Sequence, residues 1–91
     1  MKNIAVIGAG TMGNGIAHVF AQNGFQVTVI DISATALEKA LSTITRNLDR
    51  LLSKERISED DKTATLDRLS TSTDMKAAGA NADLVVEAAT E

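Results

Sequence analysis

Three glycines, Gly8, Gly10 and Gly13, stand near the start of the chain at the spacing G-x-G-x-x-G. Gly8 permits a tight turn, Gly10 lets a ligand approach the backbone without an intervening Cβ, and Gly13 lets a helix pack close to a strand. The helix N-terminus that follows such a turn offers N–H groups and the positive end of the helix dipole to an anion. The pattern therefore predicts a site for the pyrophosphate of a dinucleotide.

The residues around the glycines predict the strand and the helix that this motif needs. Residues 4–7 form an apolar run, which is typical of a parallel strand covered on both faces. After the glycines, Ile16, Val19 and Phe20 recur at helical spacing and predict the buried face of a helix. We expect this helix to end at Asn23-Gly24 with a left-handed cap.

A second apolar run, residues 26–30, leads into Asp31. An acid at the end of the second strand accepts hydrogen bonds from the adenosine ribose and repels a 2′-phosphate. The next residues, Ile32, Ser33 and Ala34, provide no cation for that phosphate. The sequence therefore predicts NAD rather than NADP. The alternative is a turn and a strand end without a ligand, but the order strand, turn, helix, strand and acid favours NAD.

A long amphipathic helix is predicted to follow, with either Ser33 or Thr35 as its N-cap, the latter in a capping box with Glu38. Ser58 and the acids after it predict the start of a second, shorter helix. The apolar face of the long helix extends over about five turns and comprises Leu37, Ala40, Leu41, Ile44, Leu48, Leu51 and Leu52.

The remaining segments predict two further strands. Residues 69–73 are typical of a short edge strand, and residues 83–87 of a buried parallel strand. Between them, Asp74 is predicted to cap a helix of one or two turns that ends at Gly79. The order of elements indicates an α/β fold, the first mononucleotide-binding half of a Rossmann-type doubly wound parallel sheet, with strand order 3-2-1-4.

Composition excludes several classes of protein. The chain has 91 residues, a net charge of −3 and no cysteine. It has no basic stripe for nucleic acid, no apolar run near the roughly 20 residues that span a membrane, and no thiolate for a metal or a disulfide. We expect one small domain with no metal, nucleic acid or membrane partner. The expected location is the cytoplasm, or the mitochondrial matrix if a leader has been removed.

Three segments together resemble the N-terminal NAD-binding domain of L-3-hydroxyacyl-CoA dehydrogenases, including the bacterial 3-hydroxybutyryl-CoA dehydrogenases. They are the glycine run from Gly8 to Ala17, the acid Asp31, and the last ten residues, ADLVVEAATE. The resemblance covers essentially the whole chain. It implies hydride transfer between NAD and the 3-carbon of a hydroxyacyl-CoA or ketoacyl-CoA thioester in fatty acid metabolism.

The resemblance also implies site residues. Asn47 and Lys54 would contact acyl-CoA, although many members have Ser at the position of Asn47, where an amide can still donate a hydrogen bond. Lys54 could equally serve only as a cation at a helix C-terminus. Ala89 and Glu91 would lie on the nicotinamide side. The implied cofactor-binding residues are Gly8, Ala9, Gly10, Thr11, Met12, Gly13, Asp31, Ala89 and Glu91.

The same resemblance implies a His–Glu catalytic pair and a helical domain beyond these residues, so we expect no catalytic residue in this chain. The one histidine, His18, falls in the first helix, where a surface or core-edge position is predicted. Residues 1–91 are thus interpreted as a partial dinucleotide-binding domain that binds NAD weakly without turnover. The second half of the sheet would lie outside them.

Three alternatives stay open at this point. One is a stand-alone nucleotide-binding regulatory module, the second is a family member that has lost turnover, and the third is another hydroxyacid dehydrogenase of the same superfamily. In each case a half sheet exposes an apolar edge, which predicts self-association into a homo-oligomer.

Overall fold

The computed structural model describes residues 2–76 and 80–88. All strand pairs within them are parallel, and the order across the sheet is β3-β2-β1-β4. The predicted first half of a Rossmann-type sheet, with order 3-2-1-4, is confirmed. The elements are β1 (Asn3–Ile7), α1 (Thr11–Gln22), β2 (Gln26–Ile30), α2 (Ala34–Ser53), α3 (Glu59–Asp67), β3 (Leu69–Ser72) and β4 (Leu84–Glu87).

The register of the sheet directs one apolar row of side chains toward the helices. Ile4 of β1 lies beside Val27 of β2 and Leu84 of β4, and Val27 lies beside Leu69 of β3. These residues belong to or pack against the hydrophobic core, together with residues of α1 and α2. Because α1, α2 and α3 also contact one another, all three cover the same face of the sheet.

The helix α1 approaches the sheet through its smallest residues. Gly13, Ala17 and Ala21 are its buried positions, spaced four residues apart along one side. The prediction that Val19 faces the core is wrong, because its side chain is 60% exposed. Val19 lies two residues from both Ala17 and Ala21, which places it about 200° around the helix from that line. The side of α1 that carries the small residues is therefore the side that packs closely against the sheet.

The end of α1 follows the sequence prediction. Asn23 is the C-cap, and Gly24 has a φ of 97°, the left-handed conformation that favours glycine. Ile16 and Phe20 are partly buried against the core, as expected. The ring of Phe20 meets that of Phe25 edge to face, with centroids 5.5 Å apart, so the turn closes over an aromatic contact.

Serine side chains cap the N-termini of α2 and α3. The Ser33 hydroxyl accepts a hydrogen bond from the Ala36 N–H at 3.1 Å, so Ser33 rather than Thr35 is the N-cap of α2. Ser58 and Asp61 form a reciprocal capping box at the start of α3. The apolar face of α2 is largely confirmed, since Leu37, Ala40, Ile44 and Leu48 are buried and Leu41, Leu51 and Leu52 are half-buried.

The segment after β3 differs from the sequence prediction. The Asp74 carboxylate accepts a hydrogen bond from the Lys76 N–H at 3.0 Å within a turn, and no helix begins at residues 74–76. The predicted helix end at Gly79 lies outside the described residues. Asp83 precedes β4, and its carboxylate accepts hydrogen bonds from the N–H groups of Lys2 and Asn3 at 2.8 and 3.0 Å. This contact anchors the start of β4 to β1.

Across residues 2–76 and 80–88, none of the helices combines the length and the apolar character required to cross a bilayer. The longest, α2, has 20 residues, but only one of its faces is apolar.

Candidate dinucleotide site and basic groove

The glycine turn joins the end of β1 to the start of α1. Gly8 has a φ of 103°, a conformation that side-chain-bearing residues rarely adopt. Its N–H donates a hydrogen bond to the carbonyl of Ile30, at the end of β2, at 2.7 Å. The turn is therefore held at the carboxyl edge of the two central strands, which is where open parallel sheets bind ligands.

The close approach of α1 depends on the missing side chain of Gly13. A Cβ at this position would lie 1.8 Å from the carbonyl oxygen of Gly8 and 2.8 Å from its carbon. Both are backbone atoms, so the helix itself would have to move. At Gly15, by contrast, a Cβ would meet no atom within 4 Å. The packing role predicted for Gly13 is confirmed.

These two glycines provide a matched pair of variants. We expect Gly13→Ala to lower the free energy of unfolding by at least about 2 kcal/mol, because α1 is displaced from the turn. Gly15→Ala should instead raise it by about 0.5–1 kcal/mol, since alanine favours the helix. Urea unfolding followed by circular dichroism measures both changes. Equal stability of the two variants would contradict the close-packing account.

The start of α1 lacks a side-chain cap. Gly10 is the N-cap residue in an extended conformation, it has no side chain to accept a hydrogen bond, and no acid lies in the first turn. Its carbonyl accepts the Asn14 N–H at 2.9 Å and thereby starts the helical ladder. The starts of α2 and α3, by contrast, are capped by serine side chains. This helix N-terminus therefore suits an external anion such as a diphosphate.

Asp31 connects the glycine turn to the start of α2. One carboxylate oxygen accepts the Ala9 N–H at 3.0 Å, and the other accepts the Ser33 N–H at 2.9 Å. These two hydrogen bonds hold the pKa of Asp31 below its ordinary value, and the bond from Ser33 has the larger effect. Each oxygen keeps a further lone pair. An ionised Asp31 at this edge can therefore accept hydrogen bonds from ribose hydroxyls as well.

The lowered pKa predicts a pH dependence of stability. A carboxylate with a depressed pKa in the folded state stabilises the fold above its unfolded pKa of about 3.9, and this contribution is lost as the pH falls through the lower folded pKa. Asp31→Asn should therefore be less stable than the native chain at pH 6, and the difference should shrink toward pH 2. Urea unfolding at several pH values tests this.

The control for that experiment is Asp67→Asn, which removes one exposed carboxylate from the far end of α3. At pH 6 it should cost less stability than Asp31→Asn, because Asp67 is exposed and lies outside the contact between the glycine turn and α2. A difference between Asp31→Asn and the native chain that does not change with pH would contradict a stabilising role of the carboxylate.

The end of β4 reaches the same edge of the sheet. Ala88 is buried, and its N–H donates to the Ile7 carbonyl at 2.7 Å. Its Cβ lies 3.7 Å from where a Cβ on Gly13 would be. Ala89 and Glu91, which the resemblance assigned to the nicotinamide side, lie outside the described residues.

A cleft of about 260 Å³ opens beside the glycine turn, between α1 and α2. Sequence reasoning identified three of its residues, Ala9, Gly10 and Thr11, but missed Asn14 and Lys39. Lys39 lies six residues after the N-cap Ser33, less than two turns from the start of α2, but helical spacing does not show that this side of α2 borders the glycine turn. The full lining comprises Ala9, Gly10, Thr11, Asn14, Ala36, Lys39, Ala40 and Thr43.

A second groove, of about 450 Å³, lies farther along the same helix pair. It brings together Asn47 and Lys54, the two residues that the resemblance assigned to CoA, because they are two helical turns apart on α2. Lys54 is also the C-cap of α2, so both of its predicted roles are compatible with the structure. We call it the basic groove, because no acid is among its lining residues. These are His18, Asn47, Arg50, Leu51, Lys54 and Arg56.

His18 occupies the core-edge position that the sequence predicts. Its ring is half-buried, and Nε2 lies 2.7 Å from the Gln22 side-chain oxygen one turn along α1. It lines the basic groove rather than the cleft at the glycine turn. Sequence reasoning did not identify Arg56 as a neighbour of Asn47, because the turn that brings Arg56 back to α2 is not visible as a periodic pattern.

The parallel sheet in the order 3-2-1-4, the tight glycine turn and the acid at the end of β2 define a Rossmann-type dinucleotide-binding domain. Residues 3–91 match the family model described as 3-hydroxyacyl-CoA dehydrogenase, NAD binding domain. The chain belongs to this family, and NAD is the cofactor of the family's domain, as predicted.

Individual relatives agree with this assignment. The 3-hydroxybutyryl-CoA dehydrogenase of Bradyrhizobium diazoefficiens is 45% identical over 91 residues, which cover 100% of this chain and 31% of that protein. The 3-hydroxyadipyl-CoA dehydrogenase of Escherichia coli is also 45% identical over 91 residues, covering 100% of this chain and 19% of that protein.

Solved structures agree as well. The 3-hydroxybutyryl-CoA dehydrogenase of Escherichia coli K12 matches 99% of this chain and 19% of its own, with a TM-score of 0.94 and 46% identity. The (S)-3-hydroxybutyryl-CoA dehydrogenase of Ralstonia eutropha matches 100% of this chain and 32% of its own, with a TM-score of 0.90 and 44% identity. The chain thus spans about a third or less of the length of these relatives.

Proposed function

We propose that the chain is the NAD-binding part of an enzyme that transfers hydride between NAD and the 3-carbon of a 3-hydroxyacyl-CoA or 3-ketoacyl-CoA. The observation that carries this proposal is the start of α1 at Gly10, an N-cap residue without a side chain, beside the ionised Asp31 in a chain of this family. The diphosphate would lie on the glycine turn, and the adenosine ribose would lie at Asp31. Residues 1–91 would act as one partial dinucleotide-binding domain.

The 91 residues by themselves should bind the cofactor without turnover. Oxidation of a 3-hydroxyl group needs a base that removes its proton as the hydride leaves. The single histidine, His18, lies seven residues beyond Thr11, about 10 Å along the helix from the glycine turn. It faces the basic groove and Gln22 instead. His18 therefore does not have the place of that base.

The first test is a titration with NADH and with NADPH, followed by nicotinamide fluorescence. NADH should bind about tenfold more tightly, because Asp31 repels a 2′-phosphate. Asp31→Ala should narrow this difference to about twofold, since the repulsion is lost. NADH should not be oxidised when acetoacetyl-CoA is added.

The control variant for the titration is Asp67→Ala, which removes one negative charge at a distance from the glycine turn. It should keep the preference of the native chain. Equal affinity of the native chain for NADH and NADPH would contradict the role of Asp31, and no binding of either would contradict the proposed cofactor site.

We also propose that the basic groove holds the phosphates of acyl-CoA. Asn47 lies among three cationic side chains, Arg50, Lys54 and Arg56, without an acid in the lining. A concentration of positive charge is notable on a chain whose net charge is −3. Guanidinium and ammonium groups are the side chains that bind phosphate in proteins.

The groove can be tested with coenzyme A and with pantetheine, which lacks the phosphates. The double variant Arg50→Met/Lys54→Met should weaken CoA binding about tenfold and leave NADH binding unchanged. Pantetheine binding should not respond. The matched control Arg46→Met removes an exposed cation of α2 outside the groove. Isothermal titration measures these affinities, and an equal effect of the control would contradict a specific CoA site.

We further propose that the 91-residue chain by itself forms a homo-oligomer through β4. Among the described strands, β4 is the edge next to β1, and Val85 projects away from the helices with 49% of its side chain exposed. An apolar edge strand of this kind favours pairing with a second chain. Light scattering over a range of protein concentrations tests this proposal.

A further inference from the structure

The cleft beside the glycine turn contains one charged side chain. Its walls are the turn residues Ala9, Gly10 and Thr11 on one side and one face of α2 on the other. The rest of the lining is small or uncharged, and Lys39 is the exception. The cleft therefore places a single ammonium group next to the backbone that is suited to a diphosphate.

Lys39 has no carboxylate partner in the described part of the chain. Its neighbours at helical spacing on α2 are Thr35, Ala36, Ser42 and Thr43, none of which is acidic. The ion pair found among residues 2–76 and 80–88 joins Lys62 to Asp49 instead. The side chain of Lys39 is exposed and can reach a ligand.

The direction of the helix favours contact with the glycine turn. Side chains on an α-helix lean toward its N-terminus. For Lys39 this is the Ser33 end of α2, where Asp31 connects α2 to Ala9 of the turn. The ammonium group is thus directed to the edge at which the dinucleotide site lies.

The electrostatics of the site call for such a cation. A dinucleotide diphosphate carries two negative charges, whereas the start of α1 supplies about half a positive charge. Asp31 adds a further negative charge at the same edge. We propose that Lys39 is a cofactor-binding residue whose ammonium group pairs with the diphosphate of NAD. This inference rests on the NAD site proposed above.

The 2′-phosphate of NADP is the competing partner for the same ammonium group. The position of the cleft favours the diphosphate, because Gly10 and Thr11 form its wall at the start of α1. The carboxylate of Asp31 opposes a phosphate on the ribose. Titrations distinguish the two phosphate groups, because NADH carries the diphosphate but no 2′-phosphate.

The test compares Lys39→Gln, Lys39→Glu and the control Arg46→Glu in titrations of the 91-residue chain at low salt. Arg46 is exposed on the same helix but does not line the cleft, so its variant matches the change in net charge of Lys39→Glu. Lys39→Gln should weaken NADH binding about threefold and Lys39→Glu about tenfold. NADPH should be weakened by the same factors, and adenosine should be unaffected. All differences should shrink at 0.5 M salt, where the Debye length is only about 4 Å.

The possible outcomes test the cofactor site and the role of Lys39 separately. If the native chain does not bind NADH, the proposed cofactor site is wrong and this inference is wrong with it. If the native chain binds NADH and Lys39→Glu matches Arg46→Glu, only the role of Lys39 is wrong. Weakening confined to NADPH would assign Lys39 to a 2′-phosphate and overturn the diphosphate assignment. Circular dichroism of each variant checks that the exposed substitutions leave the fold intact.

Discussion

The contact between α1 and the turn before it determines the geometry of the candidate site. The carbonyl oxygen of Gly8 occupies the space that a Cβ on Gly13 would need, at a separation of 1.8 Å. The helix can lie this close only because Gly8 adopts a positive φ and Gly13 has no side chain. The start of α1 is consequently held at the carboxyl edge of β1 and β2.

Asp31 extends this arrangement to the second helix. Its two hydrogen bonds, from Ala9 and Ser33, join the turn before α1 to the residue that caps α2. The same two contacts keep the carboxylate ionised, because they favour the charged form. One side chain thus orders the backbone of the site and gives that site a negative charge. A cofactor with a diphosphate then needs positive charge from elsewhere, which α2 can supply.

The packing of α1 against α2 produces both candidate ligand surfaces. The helices follow parallel strands, β1 and β2, and therefore run in the same direction along one face of the sheet. Their starts border the cleft at the glycine turn, and their later turns border the basic groove. The buried side of α2 packs into the hydrophobic core, and the side that faces α1 carries polar and cationic residues. Both proposed ligand surfaces, the one for the cofactor and the one for acyl-CoA, thus lie on two adjacent helices.

Much of this was predictable from the sequence, because periodicity and glycine spacing are local properties. The strands, the three helices, the left-handed Gly24 and the acid at the end of β2 follow from neighbouring residues. The prediction for Val19 was wrong because helical spacing alone does not show which side of a helix approaches a sheet. The helix predicted after Asp74 was wrong over residues 74–76, where the carboxylate caps a turn instead.

The sequence by itself therefore determined the fold class and the type of cofactor, since these depend on patterns of residues close together along the chain. It also determined the strand order, because the succession of strands and helices restricts how a parallel sheet can be connected. Only the tertiary structure decided which distant residues share a site. Lys39 borders the glycine turn because of how α2 packs beside α1. Arg56 returns to the groove of Asn47 and Lys54 because the chain turns back after α2, where the Arg56 N–H donates to the Leu51 carbonyl. Such proximity depends on how helices pack and how the turns between them fold, and no spacing along the chain specifies it.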